Sequence, residues 1–311
     1  MNKPLVTFAL FAYNQERYIR EALAGALAQT YTPLQIILSD DNSSDKTFAI
    51  MQEVASQYHG PHQILLNRNQ PNLGIGAHVN KVMSLAQGEF IVVAAGDDIS
   101  LPERTAILAD KWIELGQRAI SVHTSTQQID EAGHELEIVK PSKAIETFTP
   151  GCILGATHGW SAESFVKFGD LGENSTIEDI VIAFRSSLLD GVYFIDQPLV
   201  KYRIGGISSW QGIQRKERKI GQWRRWSALY QQMLNDLNKI YPEQHPLRET
   251  LLARTRVCST LLAMSASQAP LAVAWQNKAI LFNRFFFNEA MEYYLPFVFR
   301  VMHAIRRRVM R

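Results

Sequence analysis

The stretch Gln35-Ile36-Ile37-Leu38-Ser39-Asp40-Asp41-Asn42-Ser43-Ser44-Asp45 runs from apolar residues directly into acids and turn formers. A second stretch, Phe90-Ile91-Val92-Val93-Ala94-Ala95-Gly96-Asp97-Asp98, does the same. Short apolar runs bounded by turn signals read as buried strands. In a parallel α/β sheet the carboxyl ends of the strands share one edge, and ligands bind in the crevice outside it. Two acidic clusters gathered there would repel a bare anion. They suit a divalent cation, or a ligand that offers hydrogen-bond donors and brings a cation with it. A nucleoside diphosphate joined to a sugar does both.

Outward from these two runs, strand and helix patterns alternate. Residues 5–11, 63–66 and 119–123 read as further strands. Between them, apolar residues recur at helical spacing: Ile19, Leu23, Ala26 and Leu27, then Thr47, Ile50, Met51, Val54 and Tyr58, then Val79, Val82 and Met83. Ser44 or Asp45 is placed to cap the second of these helices. Pro102 opens a fourth, containing Ile107, Leu108 and Trp112, where its missing N–H costs little. The pattern predicts an α/β fold, a doubly wound and mostly parallel sheet flanked by helices. Asp130-Glu131-Ala132-Gly133-His134 reads as a hairpin turn, followed by helices near 162–168 and 177–189 and strands at 193–195 and 199–203. From there on the patterns are helical, so residues 1–210 are expected as one domain and 211–311 as a helical C-terminal extension.

Composition narrows the function classes. The net charge of +2 gives no reason to expect a nucleic-acid partner. Its distribution says more: from Trp275 to Arg311 seven Lys and Arg stand against Glu289 and Glu292, a net +5, leaving −3 on residues 1–274. Cys152 and Cys258 are far apart and lack metal-ligand neighbours, which argues against a disulfide framework and fits a reducing compartment. Val6–Ala12 runs straight into Tyr13-Asn14-Gln15-Glu16-Arg17 and reads as a strand rather than a signal peptide. No uninterrupted apolar stretch is long enough to span a bilayer. The expectation is a cytoplasmic protein, with possible attachment to the cytoplasmic membrane face.

Three blocks, at residues 8–47, 72–104 and 177–209, occur in order and together resemble the family 2 glycosyltransferases, inverting enzymes with the GT-A fold. The first carries Phe11, Tyr13 and Asp41, the second Asn72, Gly74, Asp97 and Asp98, the third Glu178, Asp179, Lys201 and Arg203. The resemblance implies that Tyr13 stacks on a nucleobase while Asp41 accepts its imide N–H, as a carboxylate can from uracil or thymine. It implies that Asp98 and Asp97 hold Mg²⁺ or Mn²⁺, Asp97 reaching the ribose or a metal-bound water. Phe11, Asn72, Gly74, Lys201 and Arg203 join the nucleotide-binding set. Asp179 is implied as general base toward an acceptor hydroxyl, with Glu178 hydrogen-bonding the acceptor. The implied donor is a UDP- or dTDP-sugar. The implied acceptor is a saccharide or a lipid-linked molecule, in bacterial surface polysaccharide assembly.

Each residue also has a plainer reading. Asp40, Asn42 and Ser43 form Asx-type turns after a strand. Glu178 and Asp179 open a helix, where the dipole favours carboxylates. His78 and His123 read as ordinary surface or core histidines. Where many relatives carry a His after the Tyr-Arg pair, this chain has Gly205-Gly206, which leaves the third protein contact to the diphosphate open. Gln222-Trp223-Arg224-Arg225-Trp226 matches a Gln-x-x-Arg-Trp pattern of processive synthases, but reads more simply as a basic aromatic helix against the catalytic domain or a lipid headgroup. Phe282, Phe285, Phe286, Phe287, Tyr293 and Tyr294 alternate with Arg284, Arg300 and Arg306-Arg307-Arg308, a pattern of interfacial anchors and of protomer contacts alike. A non-catalytic nucleotide-binding or scaffold protein retaining the fold is the competing reading.

Overall fold

The computed structural model describes residues 3–141, 148, 152–172, 175–205, 214–243, 245–277 and 283–294. Two compact units divide the chain, residues 1–208 and 209–311. The first unit begins β1 (Val6–Ala12), α1 (Ile19–Leu27), β2 (Leu34–Asp40), α2 (Thr47–Ser56), β3 (Gln63–Arg68), α3 (Ile75–Leu85) and β4 (Phe90–Ala95). It continues β5 (Ile99–Ser100), α4 (Arg104–Glu114), β6 (Ile120–Ile129), β7 (Glu135–Val139), β8 (Gly159–Ser161), α5 (Glu163–Phe168), α6 (Glu178–Leu188) and β9 (Gly191–Arg203).

All nine strands form one sheet in the order β3-β2-β1-β4-β8-β6-β9-β5, with β7 hydrogen-bonded beside β6. The expected parallel half is β3-β2-β1-β4. Beyond it the sheet is mixed. The three-residue β8 lies antiparallel between β4 and β6, and β6 is parallel to β9. The two strands expected at 193–195 and 199–203 are one strand, β9, whose register against β6 shifts around Ser125. α2 starts at Thr47 with Lys46 at the cap position, and the Asp45 carboxylate accepts the Thr47 N–H at 2.9 Å.

The central parallel strands β1, β2 and β4 are buried on both faces, which is why their sequences are largely apolar rather than alternating, whereas β3 at the sheet edge is half-buried. On one face Val6, Phe8 and Leu10 of β1, Ile36 and Leu38 of β2, and Phe90 and Val92 of β4 pack with Ile19, Leu23 and Ala26 of α1 and Leu108 and Trp112 of α4. A buried glutamine joins this layer to the segment after β5. Gln29 donates to the carbonyls of Gly25 (2.8 Å) and Leu101 (2.9 Å), and its Oε1 accepts from the Thr105 N–H (2.9 Å) and hydroxyl (2.6 Å). That ties α1 to the start of α4, just past Asp97 and Asp98.

The second unit contains α7 (Arg215–Ile240), α8 (Pro246–Ala266), α9 (Pro270–Gln276) and α10 (Arg284–Tyr294). Its core is built on Trp223, Val257, Leu261, Met264, Ala274 and Phe286. The Gln-x-x-Arg-Trp segment is explained here. The Trp223 Nε1–H donates to Glu289 Oε2 at 2.8 Å, and Trp226 packs on Phe285 with centroids 5.3 Å apart. These indoles belong to the helical core, which corrects the expectation of a lipid headgroup against them. Phe282, Arg300 and Arg306–Arg308 lie outside the described residues. No described helix is long and apolar enough to cross a membrane.

Replacing Gln29 with Leu strands the Thr105 N–H and hydroxyl in the core, while the Leu101 carbonyl keeps the Arg104 N–H. Urea titration is expected to show a loss of about 2–4 kcal/mol with an unchanged m-value, since unpaired buried polar groups cost roughly 1–3 kcal/mol each.

Candidate active site

Asp41 follows the last residue of β2 and is held at the sheet edge from several sides. Its N–H donates to the Ala12 carbonyl at 2.9 Å, joining the ends of β1 and β2. Both chains then turn through positive φ, at Asn14 (52°) and Asn42 (64°). The buried carboxylate accepts from Asn69 Nδ2 and the Leu73 N–H at Oδ1, and from the Gly74 N–H at Oδ2, each at 2.9 Å. A carboxylate offers about four lone-pair sites, so these contacts leave one on Oδ2. Asn72 and Gly74, expected among the nucleotide contacts, are committed to this hold. Asn72 Nδ2 donates to the Asp41 carbonyl at 2.8 Å, and Gly74 takes the positive φ (75°) from which α3 starts. Tyr13 is 50% exposed one residue past β1, beside this station. Asp40 is structural: it is buried, accepts the Ser43 N–H at 2.9 Å and pairs with Arg68 at 3.5 Å.

The pair Asp97-Asp98 follows β4 as expected. Asp98 Oδ1 accepts the Arg203 N–H at 2.8 Å. Burial, and after it the charge of Asp97, push the Asp98 carboxyl up to about 7, against the pull of the Arg203 N–H and the Arg104 and Arg203 charges. Burial also raises Asp97. Arg104 sits fully buried nearby, bonded to Ser100 Oγ at 2.8 Å and the Val93 carbonyl at 2.6 Å.

Two basic residues expected at the diphosphate are turned to other work. The Arg203 guanidinium donates to Glu21 (2.8 Å) and to the carbonyls of Asp97 (3.0 Å), Asp130 (3.0 Å) and Glu131 (3.1 Å), and stacks on Tyr18 at 4.5 Å. Its side chain is 1% exposed. Lys201 pairs with Glu135 of β7 at 2.8 Å. Strand alternation places Tyr202 on the opposite face from both.

Asp179 lies in the first turn of α6, where its Oδ1 accepts the Ile180 N–H at 2.8 Å. It forms a wall between two cavities. One, of about 400 Å³, is lined by Asp97, Asp98, Asp179, Tyr202, Arg203 and the 153–156 segment. The other, about 90 Å³, is lined among others by Phe11, Val79, His158, Trp160, Glu178 and Asp179. Phe11 thus faces the smaller cavity and packs edge-on against His78, which bonds to Ser39 Oγ at 2.6 Å. Burial lowers the His78 pKa, opposed by the charges of Asp41 and Asp40. Asp41 lines neither cavity; it stands at the neighbouring strand end, linked to the smaller one through His78 and Phe11.

Tyr202 is the residue that sequence reasoning missed. Burial raises its phenol pKa, and Asp98, Asp97 and Asp179 raise it further, in that order. It therefore stays protonated between the acidic pair and Asp179. Among the described residues lining the larger cavity, it supplies the side-chain donor that has no internal hydrogen bond. The signal was strand parity: once Lys201 and Arg203 face one way, the residue between them faces the other. Gly206, in the loop expected to meet phosphate, lies outside the described residues.

Residues 7–147 match the family model described as Glycosyl transferase family 2. An uncharacterized glycosyltransferase of Methanocaldococcus jannaschii is 32% identical over 145 residues, covering 46% of this chain and 49% of the relative. One from Rickettsia typhi is 26% identical over 246 residues, covering 76% and 73%. The chain spans about half the length of the first of these. Among solved structures, residues 1–349 of S. aureus TarS in complex with UDP align at 15% identity with a TM-score of 0.56, over 93% of this chain and 90% of that one. A mannosyltransferase from Pyrobaculum calidifontis in complex with GDP-Man and Mn²⁺ aligns at 17% identity and TM-score 0.54, over 95% and 88%. At such identities these two speak for the fold, a mixed α/β sheet of GT-A type with a helical C-terminal region. Residues 7–147 of this chain thus match the family 2 glycosyltransferases, and the structure around them has a fold of GT-A type.

Proposed function

We propose that the protein is a metal-dependent, inverting glycosyltransferase. It moves one sugar from a UDP- or dTDP-linked donor to a hydroxyl of a saccharide or lipid-linked acceptor at the cytoplasmic membrane face, in surface polysaccharide assembly. The observation that carries this reading is one cavity lined by Asp97, Asp98, Asp179 and Tyr202, with Asp41 two strands away on the same sheet edge. TarS binds UDP, and the remaining lone pair of Asp41 suits the imide N–H of the same base.

The acidic pair fits a divalent cation by its donor chemistry. Burial and the neighbouring charge of half-buried Asp97 hold the Asp98 carboxyl above the usual carboxylate range, a strain that a cation relieves. Among the described residues no three ligating side chains converge. That suits Mg²⁺ or Mn²⁺, which take one or two carboxylates and complete their shell with phosphate oxygens and water. Asp98 would offer Oδ2, its Oδ1 being engaged by Arg203, with Asp97 beside it. When bound, the ion supplies charge stabilisation to the departing diphosphate.

The remaining chemistry falls to the chain itself. Asp179 takes the proton from the acceptor hydroxyl as its oxygen attacks the anomeric carbon opposite the diphosphate, and a single displacement inverts that centre. The Tyr202 hydroxyl donates to a diphosphate oxygen, in the place assigned from sequence to Lys201 or Arg203. Arg203 orients Asp98 through its backbone N–H.

Asp179→Asn is expected to lower transfer by roughly 100- to 10,000-fold while UDP affinity is kept; a wild-type protein that binds UDP and transfers nothing sinks the catalytic reading. Tyr202→Phe should reduce kcat by about 10- to 100-fold, the worth of one hydrogen bond to a charged group, with acceptor KM little changed. The pH dependence has a definite sign. Unfolded, Asp98 ionises near 3.8, and folded near 7. Between those values the folded state keeps a proton that the unfolded state has lost, so without metal stability declines as pH rises through this window. Metal-free thermal melts from about pH 5 to about pH 8 should show wild type losing Tm relative to Asp98→Asn. Mn²⁺ with UDP should restore it most at the alkaline end.

A further inference from the structure

The two units carry opposite charge. Residues 209–311 hold 17 Lys and Arg against 6 Asp and Glu, a net +11, whereas residues 1–208 hold 15 against 24, a net −9. Within the basic unit one stretch breaks the pattern. From Val257 to Asn277, through the second half of α8 and all of α9, the chain has no Asp, Glu, Lys or Arg. Cations flank it in sequence, Arg254 and Arg256 before it and Lys278 and Arg284 after it.

This uncharged stretch ends in an apolar surface. α9 buries Ala274 and packs Val273 against the core of its unit. Its other side presents Leu271, 81% exposed, and Trp275, 71% exposed. Four residues apart, they lie on one face of the helix. Ala272 between them is exposed as well. On α7 of the same unit, Arg215, Lys216, Arg218 and Arg224 are exposed.

We propose that α9 is an interfacial insertion element, its Leu271–Trp275 face entering the headgroup–acyl boundary of an anionic leaflet. This gives the membrane contact of the proposed function a defined element, and it does not depend on the transferase chemistry. An apolar tip on a unit of net +11 matches what such a leaflet offers: hydrocarbon for Leu271, an interfacial seat for the Trp275 ring, and phosphate charge for the exposed Arg and Lys of α7. A second copy of the chain is a poor occupant, because pairing through this face would bring two units of +11 together. A nucleic acid would meet Leu and Ala where it needs cations.

The test uses the full chain and sedimentation with vesicles of phosphatidylcholine alone or mixed with phosphatidylglycerol. Wild type is expected to favour the mixed vesicles and to lose them at high salt. The double variant Leu271→Ser, Trp275→Ser should bind them about tenfold or more weakly at an unchanged melting temperature, and Trp275→Phe should retain binding. The proposal is overturned if the double variant sediments like wild type or if wild type does not distinguish the two vesicles. It is equally overturned if sizing shows a dimer that the double variant dissolves, or if RNA is bound through these two residues instead of vesicles. Donor hydrolysis measured without vesicles reports on the transferase reading separately.

Discussion

The hydrogen bond from the Arg203 N–H to Asp98 joins residues 105 positions apart, and the site is assembled around it. Asp98 stands at the end of the parallel half of the sheet and Arg203 at the end of β9 in the mixed half. The same arginine grips α1 through Glu21 and the β6–β7 turn through the carbonyls of Asp130 and Glu131. One residue therefore fixes four elements with its backbone and its side chain. A guanidinium with this many fixed acceptors loses little further freedom on ordering and cannot swing toward a ligand. Its cation lowers the cost of ionising the buried acids without occupying the cavity.

The two acidic stations are handled by opposite physics. Asp41 is surrounded by donors, two of them backbone N–H groups at the entry to α3, where orphan donors and the helix dipole favour negative charge. Asp98 has one such donor and a like-charged neighbour, so burial dominates and its carboxyl is driven toward protonation. The first arrangement is complete within the protein and suits recognition of a neutral donor. The second leaves a buried carboxyl short of counter-charge, which is the ground for the cation proposed there.

Much of this was legible in the sequence. Two continuous apolar runs ending in acids gave β2, β4 and the edge on which Asp41, Asp97 and Asp98 sit, because strands buried on both faces leave little other pattern. β8 was not legible: three residues, Gly159-Trp160-Ser161, form a strand only because β4 and β6 stand on either side to pair with them. The partners of Lys201 and Arg203 were hidden for a different reason. Sequence shows that a charge exists, but not which acid folds against it, and Glu135 and Glu21 were the deciding partners. Tyr202 carries no charge to draw attention, and its place emerged only from the face that its neighbours left vacant.

Gly155 sets a limit on how this cleft can be altered. A Cβ there would stand 3.1 Å from Asp179 Oδ2, closer than a carboxylate and a methyl group ordinarily settle. Any side chain at that position must displace the carboxylate, whereas Ile153, Leu154 and Ala156 line the same cavity and already carry side chains. Attempts to broaden or redirect what the cavity accepts therefore have three neighbouring positions to vary and one where any change also moves the Asp179 carboxylate.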